Sequence, residues 1–178
     1  MEQYKLVPRI SADDVEKQVN DLARLINRDY EGKSLIVVGI LNGACIFLSD
    51  LIRRLSVPVE IDFVRLSSYG KGAETTGTIT ITKDVELPIE GRHVLVVEDI
   101  VDTGTTLVWF LDHLKRRQPE SVKICALVDK VERREIDVPL DYVGIRVDKG
   151  FLVGYGLDFA EKHRNLPGIH EVEFKNKS

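Results

Sequence analysis

Three carboxylates, Glu98, Asp99 and Asp102, crowd one short stretch, and Thr103, Gly104, Thr105 and Thr106 follow at once. Carboxylates accept hydrogen bonds and bind hard cations. Hydroxyls and the unpaired N–H groups at a helix start instead form an anion site. A phosphate drawn to the second group is repelled by the first, unless the carboxylates hold another part of the same molecule. A ribose 5-phosphate meets both demands. Its sugar hydroxyls can donate to carboxylates while its phosphate lies on the Thr-Gly-Thr-Thr turn. A magnesium ion between carboxylates and a pyrophosphate is compatible with the same chemistry. The plainer alternative is that Asp102 or Thr103 caps a helix and that Glu98 and Asp99 are solvated. A Walker-type loop is excluded, because no G-x-x-x-x-G-K-[ST] occurs in the sequence.

Such a cluster needs rigid support. The apolar run Val94–Val97 reads as a strand buried on both faces, as in a parallel sheet, and such sheets bind ligands at the carboxyl ends of their strands. Leu107, Phe110, Leu111 and Leu114 recur at helical spacing and predict a helix that stops by Gln118-Pro119. Ser34–Ile40, the turn Leu41–Ala44 and the apolar positions from Ile46 to Leu55 repeat the strand, turn and helix order. Val122–Val128 predicts another strand, ending in Asp129-Lys130. Near the N-terminus, Ser11 and Asp14 form a capping pair. Val15, Val19, Leu22, Leu25 and Ile26 then mark a helix face, with Gly32 suited to its C-cap.

Val57–Arg65 and Thr78–Thr82 alternate as strands, with the second as the returning arm of a loop. That loop, Ser67–Gly77, contains Gly70, Gly72 and Gly77, and Tyr69 on it points to a lid over the site. Val131–Asp137 reads as a surface loop. Tyr142–Ile145 and Phe151–Tyr155 are short extended runs. Beyond Phe159 the chain turns polar, and Lys175–Ser178 is expected to fray. The alternation implies an α/β fold, a doubly wound and mainly parallel sheet flanked by helices.

At 178 residues the chain is long enough for one domain with a substantial core. A net charge of −4 gives no footprint for nucleic acid or an anionic membrane. Cys45 and Cys125 each lie in an apolar run and are expected as buried free thiols in a reducing compartment. The start M-E-Q-Y-K-L-V-P-R-I lacks the apolar core of a signal peptide, and no apolar run approaches a membrane span. A cytoplasmic location is therefore expected. His93, His113, His163 and His170 have no metal-ligand spacing and receive no role.

V-L-V-V-E-D-I-V-D-T-G-T-T-L at 94–107 resembles the phosphoribosyl-pyrophosphate signature of type I phosphoribosyltransferases. The wider chain is similar to their hypoxanthine (guanine) branch. The resemblance includes L-N-G-A at 41–44, S-S-Y at 67–69, D-K at 129–130, F-L-V-G-Y-G-L-D-F at 151–159 and R-N-L-P at 164–167. It implies that fold, with a lid at about 67–82 and a small hood formed by about 142–178 with N-terminal residues, all within one domain spanning 1–178. It implies transfer of 5-phosphoribosyl from phosphoribosyl pyrophosphate to hypoxanthine and guanine, with Mg2+ as cofactor. Homodimers or homotetramers are implied as well.

By the same resemblance, Glu98 and Asp99 accept from the ribose hydroxyls and contribute to the metal site. Asp102, Thr103, Gly104, Thr105 and Thr106 surround the 5-phosphate, and Asp102 takes the purine N7 proton. Lys130 donates to the purine O6, a choice that favours 6-oxopurines over adenine because lysine has only donors. Phe151 stacks on the base and the Leu152 backbone reads its edge. Asp158 lies beside the purine and helps hold magnesium and pyrophosphate. Leu41, Asn42, Gly43 and Arg164 bind pyrophosphate, with a non-proline cis peptide in the first loop. Ser68 and Tyr69 close the lid and keep water from the donor.

One departure stands out. The purine-side loop of the family carries Pro-Asp before its stacking aromatic, whereas Val147-Asp148-Lys149-Gly150 has no proline. Two other readings compete. One is a xanthine-preferring enzyme of the same fold, although such enzymes carry D-D at the Glu98-Asp99 positions. The other, from a different class, is an RNA-binding pyrimidine-operon regulator. That group typically has tyrosine at position 102 and a basic RNA face, and Asp102 and the negative net charge argue against it.

Overall fold

The computed structural model describes residues 4–69 and 78–174. In chain order the elements are β1 (Tyr4–Ile10), α1 (Ala12–Asp29), β2 (Leu35–Leu41), α2 (Ala44–Ile52), β3 (Val59–Tyr69) and β4 (Thr78–Lys83). They continue with β5 (His93–Val101), α3 (Thr105–Lys115), β6 (Ser121–Lys130), β7 (Tyr142–Val147), β8 (Leu152–Val153) and β9 (Ile169–Phe174). The main sheet has the order β4-β3-β2-β5-β6-β7, and a small sheet has the order β1-β9-β8. In the main sheet only β4 runs antiparallel to its neighbour.

The central strands alternate their side chains between two cores. Leu35 and Val37 of β2, with Leu95 and Val97 of β5, face α1 and α2. Ile36, Val38 and Ile40, with Val94 and Val96, face Phe110, Leu111 and Leu114 of α3. Helices therefore cover both faces, which is why these strands read as unbroken apolar runs. Ser11 Oγ accepts from Asp14 N–H at 3.1 Å and caps α1. The helix closes at Tyr30 rather than at Gly32, which lies just beyond it with φ 74°.

The order of strands creates a switch point. From β2 the chain moves outwards to β3 and then returns to place β5 on the other side of β2. Pairing between β2 and β5 ends at Gly39 with Val97, whereas β5 stays paired with β6 as far as Val101 with Asp129. Above Val97 the two strands part, and a crevice opens where open α/β sheets place their ligands.

Several expectations change. Ser67 to Tyr69 continue β3 instead of belonging to a loop, and Thr78–Lys83 pairs back against them. Residues 70–77, the rest of the expected lid, lie outside the described residues, as do the side chains of Ser68 and Tyr69. Lys175–Ser178 also lies outside them. The run beginning at Tyr142 is the edge strand of the main sheet. From that region the small sheet takes up Leu152–Val153 and Ile169–Phe174. Ile169–Phe174 is a strand where no element was expected, because it is completed by β1 from the other end of the chain. Cys125 is buried, but Cys45 is exposed on the second residue of α2; both are free. Among the described residues no helix is long and apolar enough to cross a membrane.

Candidate active site

β5 carries Glu98 and Asp99 into the crevice as part of the strand itself, which runs on to Val101. Asp99 is only 7% exposed and accepts from the Ile100 N–H at 2.9 Å. Burial, and then the adjacent Asp99 charge, push the Glu98 carboxyl well above its ordinary range. Burial raises Asp99 too, against hydrogen bonding from Glu98 and the Ile100 N–H and the positive charge of Arg164. Two crowded carboxylates that resist ionisation are short of positive charge, which suits a divalent cation or hydroxyl donors.

The turn after β2 meets them. The Leu41–Asn42 peptide is cis, as the resemblance implies. A Cβ on Gly43 would lie 1.8 Å from Asp99 Oδ2. Only glycine lets this turn approach the carboxylate, so the pyrophosphate-loop candidate and the ribose candidate touch directly.

Beyond β5 the chain turns at Asp102 and Thr103 into α3. Gly104 is the N-cap, with φ 87°, and no side chain caps the helix. The plain capping role for Asp102 or Thr103 is therefore not what the structure contains. A Cβ at Gly104 would meet Val138 Cγ2 at 2.6 Å and the Ile136 carbonyl at 2.7 Å. Glycine thus answers both the left-handed turn and the close packing of the segment after β6. A cavity of about 220 Å³ lies here, lined by Glu98, Asp102, Thr103, Gly104 and Thr106 together with Ile40 and Leu66.

Asp102 Oδ2 lies 3.4 Å from Lys130 Nζ and 3.6 Å from Arg133 Nη1. Its Oδ1 is buried and, among the described residues, has no hydrogen-bond partner. Lys130, at the end of β6, is 7% exposed and also donates to the Gly150 carbonyl at 3.4 Å. Phe151 is 45% exposed, with its ring edge-on to Phe159 at a centroid distance of 5.3 Å. Leu152 is buried in β8.

Asp158 and Arg164 meet as an ion pair at 2.8 Å. Arg164 also donates to the Gly156 carbonyl at 2.8 Å and to Glu161 at 3.0 Å, while Asp158 Oδ2 accepts from the Glu161 N–H at 2.8 Å. The structure thus brings Glu98, Asp99, Asp102, the 41–43 turn and Lys130 to one end of the sheet, with Asp158 engaged by Arg164. Among the described residues no group of three His, Cys, Asp or Glu side chains converges as a cage.

Sequence reasoning missed Arg134. Its guanidinium donates to the carbonyls of Asp102 at 2.8 Å, Val101 at 3.1 Å and Lys130 at 3.3 Å, and to the Asp129 carboxylate. It ties the ends of β5 and β6 together under the candidate base. The available signal was a Glu-Arg-Arg run directly after the carboxyl end of a buried strand.

Residues 11–160 match the family model of the phosphoribosyl transferase domain. A hypoxanthine phosphoribosyltransferase of Haemophilus influenzae is 44% identical over 175 residues, covering 97% of this chain and 98% of that protein. A bifunctional TilS/HprT protein of Listeria monocytogenes is 45% identical over 160 residues, 90% of this chain but 25% of that longer protein. A crystal structure of a hypoxanthine-guanine phosphoribosyltransferase of Bacillus anthracis superposes with a TM-score of 0.88 at 42% identity, covering 96% of this chain and 98% of that one. With the signature on β5 and the switch-point crevice it lines, these matches mean that the chain belongs to the phosphoribosyltransferase family, in its hypoxanthine (guanine) branch.

Proposed function

We propose that this protein is a purine salvage enzyme that transfers 5-phosphoribosyl from phosphoribosyl pyrophosphate to N9 of hypoxanthine and guanine, releasing pyrophosphate. The observation that carries this reading is Asp102. One of its oxygens is held by cationic side chains, and the other is buried beside the phosphate-type turn with no partner among the described residues. An unpartnered buried acceptor is costly unless a ligand completes it. A purine N7–H is such a donor.

In this mechanism the Thr103–Thr106 turn binds the 5-phosphate with backbone N–H groups and hydroxyls. Glu98 and Asp99 accept from the ribose hydroxyls. Lys130 has three N–H donors, and those not directed at Asp102 and Gly150 meet the purine O6. Phe151 stacks on the base and the Leu152 backbone meets its edge. As the N9–C1′ bond forms and the bond from C1′ to pyrophosphate oxygen breaks, with inversion, Asp102 takes the N7 proton. A positioned base of this kind contributes about 10²–10⁴-fold. Leu41, Asn42, Gly43 and Arg164 receive the leaving pyrophosphate, which competes with Asp158 and Glu161 for the arginine. Ser68 and Tyr69 close over the donor.

The raised Glu98 and Asp99 carboxyls fit a magnesium ion, which would neutralise pyrophosphate charge when bound, with Asp158 as a further ligand. Magnesium retains waters and substrate oxygens, so a full protein cage is not required. The enzyme would act in the cytoplasm as a homodimer or homotetramer. The deciding experiment incubates the protein with donor, magnesium and, in turn, hypoxanthine, guanine, xanthine, adenine and uracil. Turnover of hypoxanthine and guanine is expected. Turnover of uracil alone would overturn the reading, and turnover of adenine would remove Lys130 from its role.

A further inference from the structure

The segment after β6 joins the two sides of the site. At one end the N–H groups of Glu135 and Ile136 donate to the Thr103 carbonyl at 3.0 and 3.1 Å. At the other end Val131 N–H donates to the Val147 carbonyl at 3.3 Å, and Glu132 Oε2 accepts from the Gly150 N–H at 3.2 Å.

Gly150 immediately precedes Phe151, and three side chains confine it. Glu132 holds its N–H, and Lys130 Nζ holds its carbonyl at 3.4 Å. A Cβ on Gly150 would lie 2.8 Å from Glu171 Oε1, so Glu171 closes that side, itself paired with Arg9 at 3.1 Å. The residue sits at φ 116°, a region that glycine alone enters freely. One residue on, the Phe151 carbonyl accepts from Val172 N–H of β9 at 2.8 Å. The loop 147–150 contains no proline, so its direction is set by these side-chain bonds rather than by a ring.

We propose that Glu132 is a positioning residue for the purine side. By holding the Gly150 N–H it fixes how Phe151 and the Leu152 backbone leave the loop, and so sets affinity for the base while leaving the donor site untouched. This rests on the phosphoribosyl-transfer reading above, which gives Phe151 the base. Glu132 has the reach because it follows Lys130, the last residue of β6, by two residues, in the turn closed by the Arg134 N–H on the Val131 carbonyl. Lys130 and Glu132 thus grip the two polar groups of one glycine while Lys130 also reaches Asp102.

The test is initial-rate kinetics on the wild type, Glu132→Ala and Glu132→Gln, varying hypoxanthine or guanine and, separately, phosphoribosyl pyrophosphate. Glu132→Ala is expected to raise KM for the base about 3- to 10-fold, the loss of one hydrogen bond, with the donor KM changed by less than about twofold. Glu132→Gln keeps an oxygen that can accept the Gly150 N–H and should recover most of the base affinity. Both KM values rising together, glutamine no better than alanine, or an unchanged base KM would each overturn the proposal. A wild type inactive on every 6-oxopurine would instead overturn the transfer reading, before any variant is compared.

Discussion

At Asp102 the two carboxylate oxygens have opposite surroundings, one facing Lys130 and Arg133 and the other buried with no partner among the described residues. A phosphate-loop brace and a proton acceptor make different demands on that second oxygen. If Asp102 is the base, Asp102→Asn will lower kcat by about 10²-fold or more while donor affinity, measured by equilibrium titration, changes little. Equal loss of both would reduce Asp102 to a brace. Glu98 permits a second prediction at this scale. Its folded-state carboxyl titrates above the unfolded one, so the folded state holds a proton that the unfolded state gives up. Stability is then greatest below the unfolded carboxylate value and falls as pH rises through the folded one. Glu98→Gln removes that penalty. The ligand-free variant should melt higher than wild type at pH 7–8, by about 2–4 °C per kcal/mol relieved, and show no gain near pH 4. Its donor binding should be lost. The residue types and their order were legible in the sequence, but the missing partner on Asp102 and the crowding of Glu98 were not. Both depend on what other strands bring beside them.

The elements that hold these residues were legible where their signal is local. Val94–Val97 and Leu35–Ile40 read as buried strands because helices cover both faces, and α3 announced itself through Leu107, Phe110, Leu111 and Leu114. Where an element depends on a distant partner, the sequence was silent. Ile169–Phe174 buries only Ile169 and Val172, and β1 completes it. The segment after β6 looked like surface charge, yet Arg134 and Glu132 reach into the site from it. A similar long-range brace holds β4 to β3, whose far end carries Ser68 and Tyr69. Asp62 of β3 accepts from Lys83 Nζ at 2.9 Å and from the N–H groups of Glu86 and Leu87 at 2.7 and 2.9 Å. Burial alone would raise this carboxyl, but the hydrogen bonds from Leu87, Lys83, Phe63 and Glu86 outweigh it and hold it below its ordinary value. Its contribution is therefore present above the unfolded carboxylate pKa and lost as pH falls through the folded one. Asp62→Ala should cost about 2–4 kcal/mol at pH 7, because it strips a buried acceptor from a lysine and several N–H groups. Urea unfolding at pH 7 would measure this, and the difference from wild type should shrink as pH falls through the folded-state titration of Asp62.

Across the whole molecule the segment after β8 meets the turn after β2 at a pair of glycines. A Cβ on Gly156, in the segment between β8 and β9, would lie 2.1 Å from the Gly43 carbonyl, and Gly43 itself is pressed against Asp99. The segment after β8, the pyrophosphate-loop candidate and the ribose candidate thus form one stack. Gly156 also sits at φ 103°, so alanine there is strained in conformation as well as in space. Gly156→Ala should leave the far-UV circular dichroism of the main sheet intact and weaken pyrophosphate and donor binding together by tenfold or more. Unchanged binding by calorimetry would show that the stack does not transmit displacement.

The sequence by itself determined the fold class, the central strands and the donor chemistry, because these are written as contiguous apolar periodicity and as one unbroken run from Val94 to Leu107. Tertiary structure alone decided where the second sheet begins, which glycines must be glycines, and that Arg134 and Glu132 serve the site. The reason is physical. A strand buried on both faces carries its environment in its own residues, whereas a hydrogen bond between Glu132 and Gly150, or a contact between Gly43 and Asp99, exists only after separate strands have been brought to one edge of the sheet.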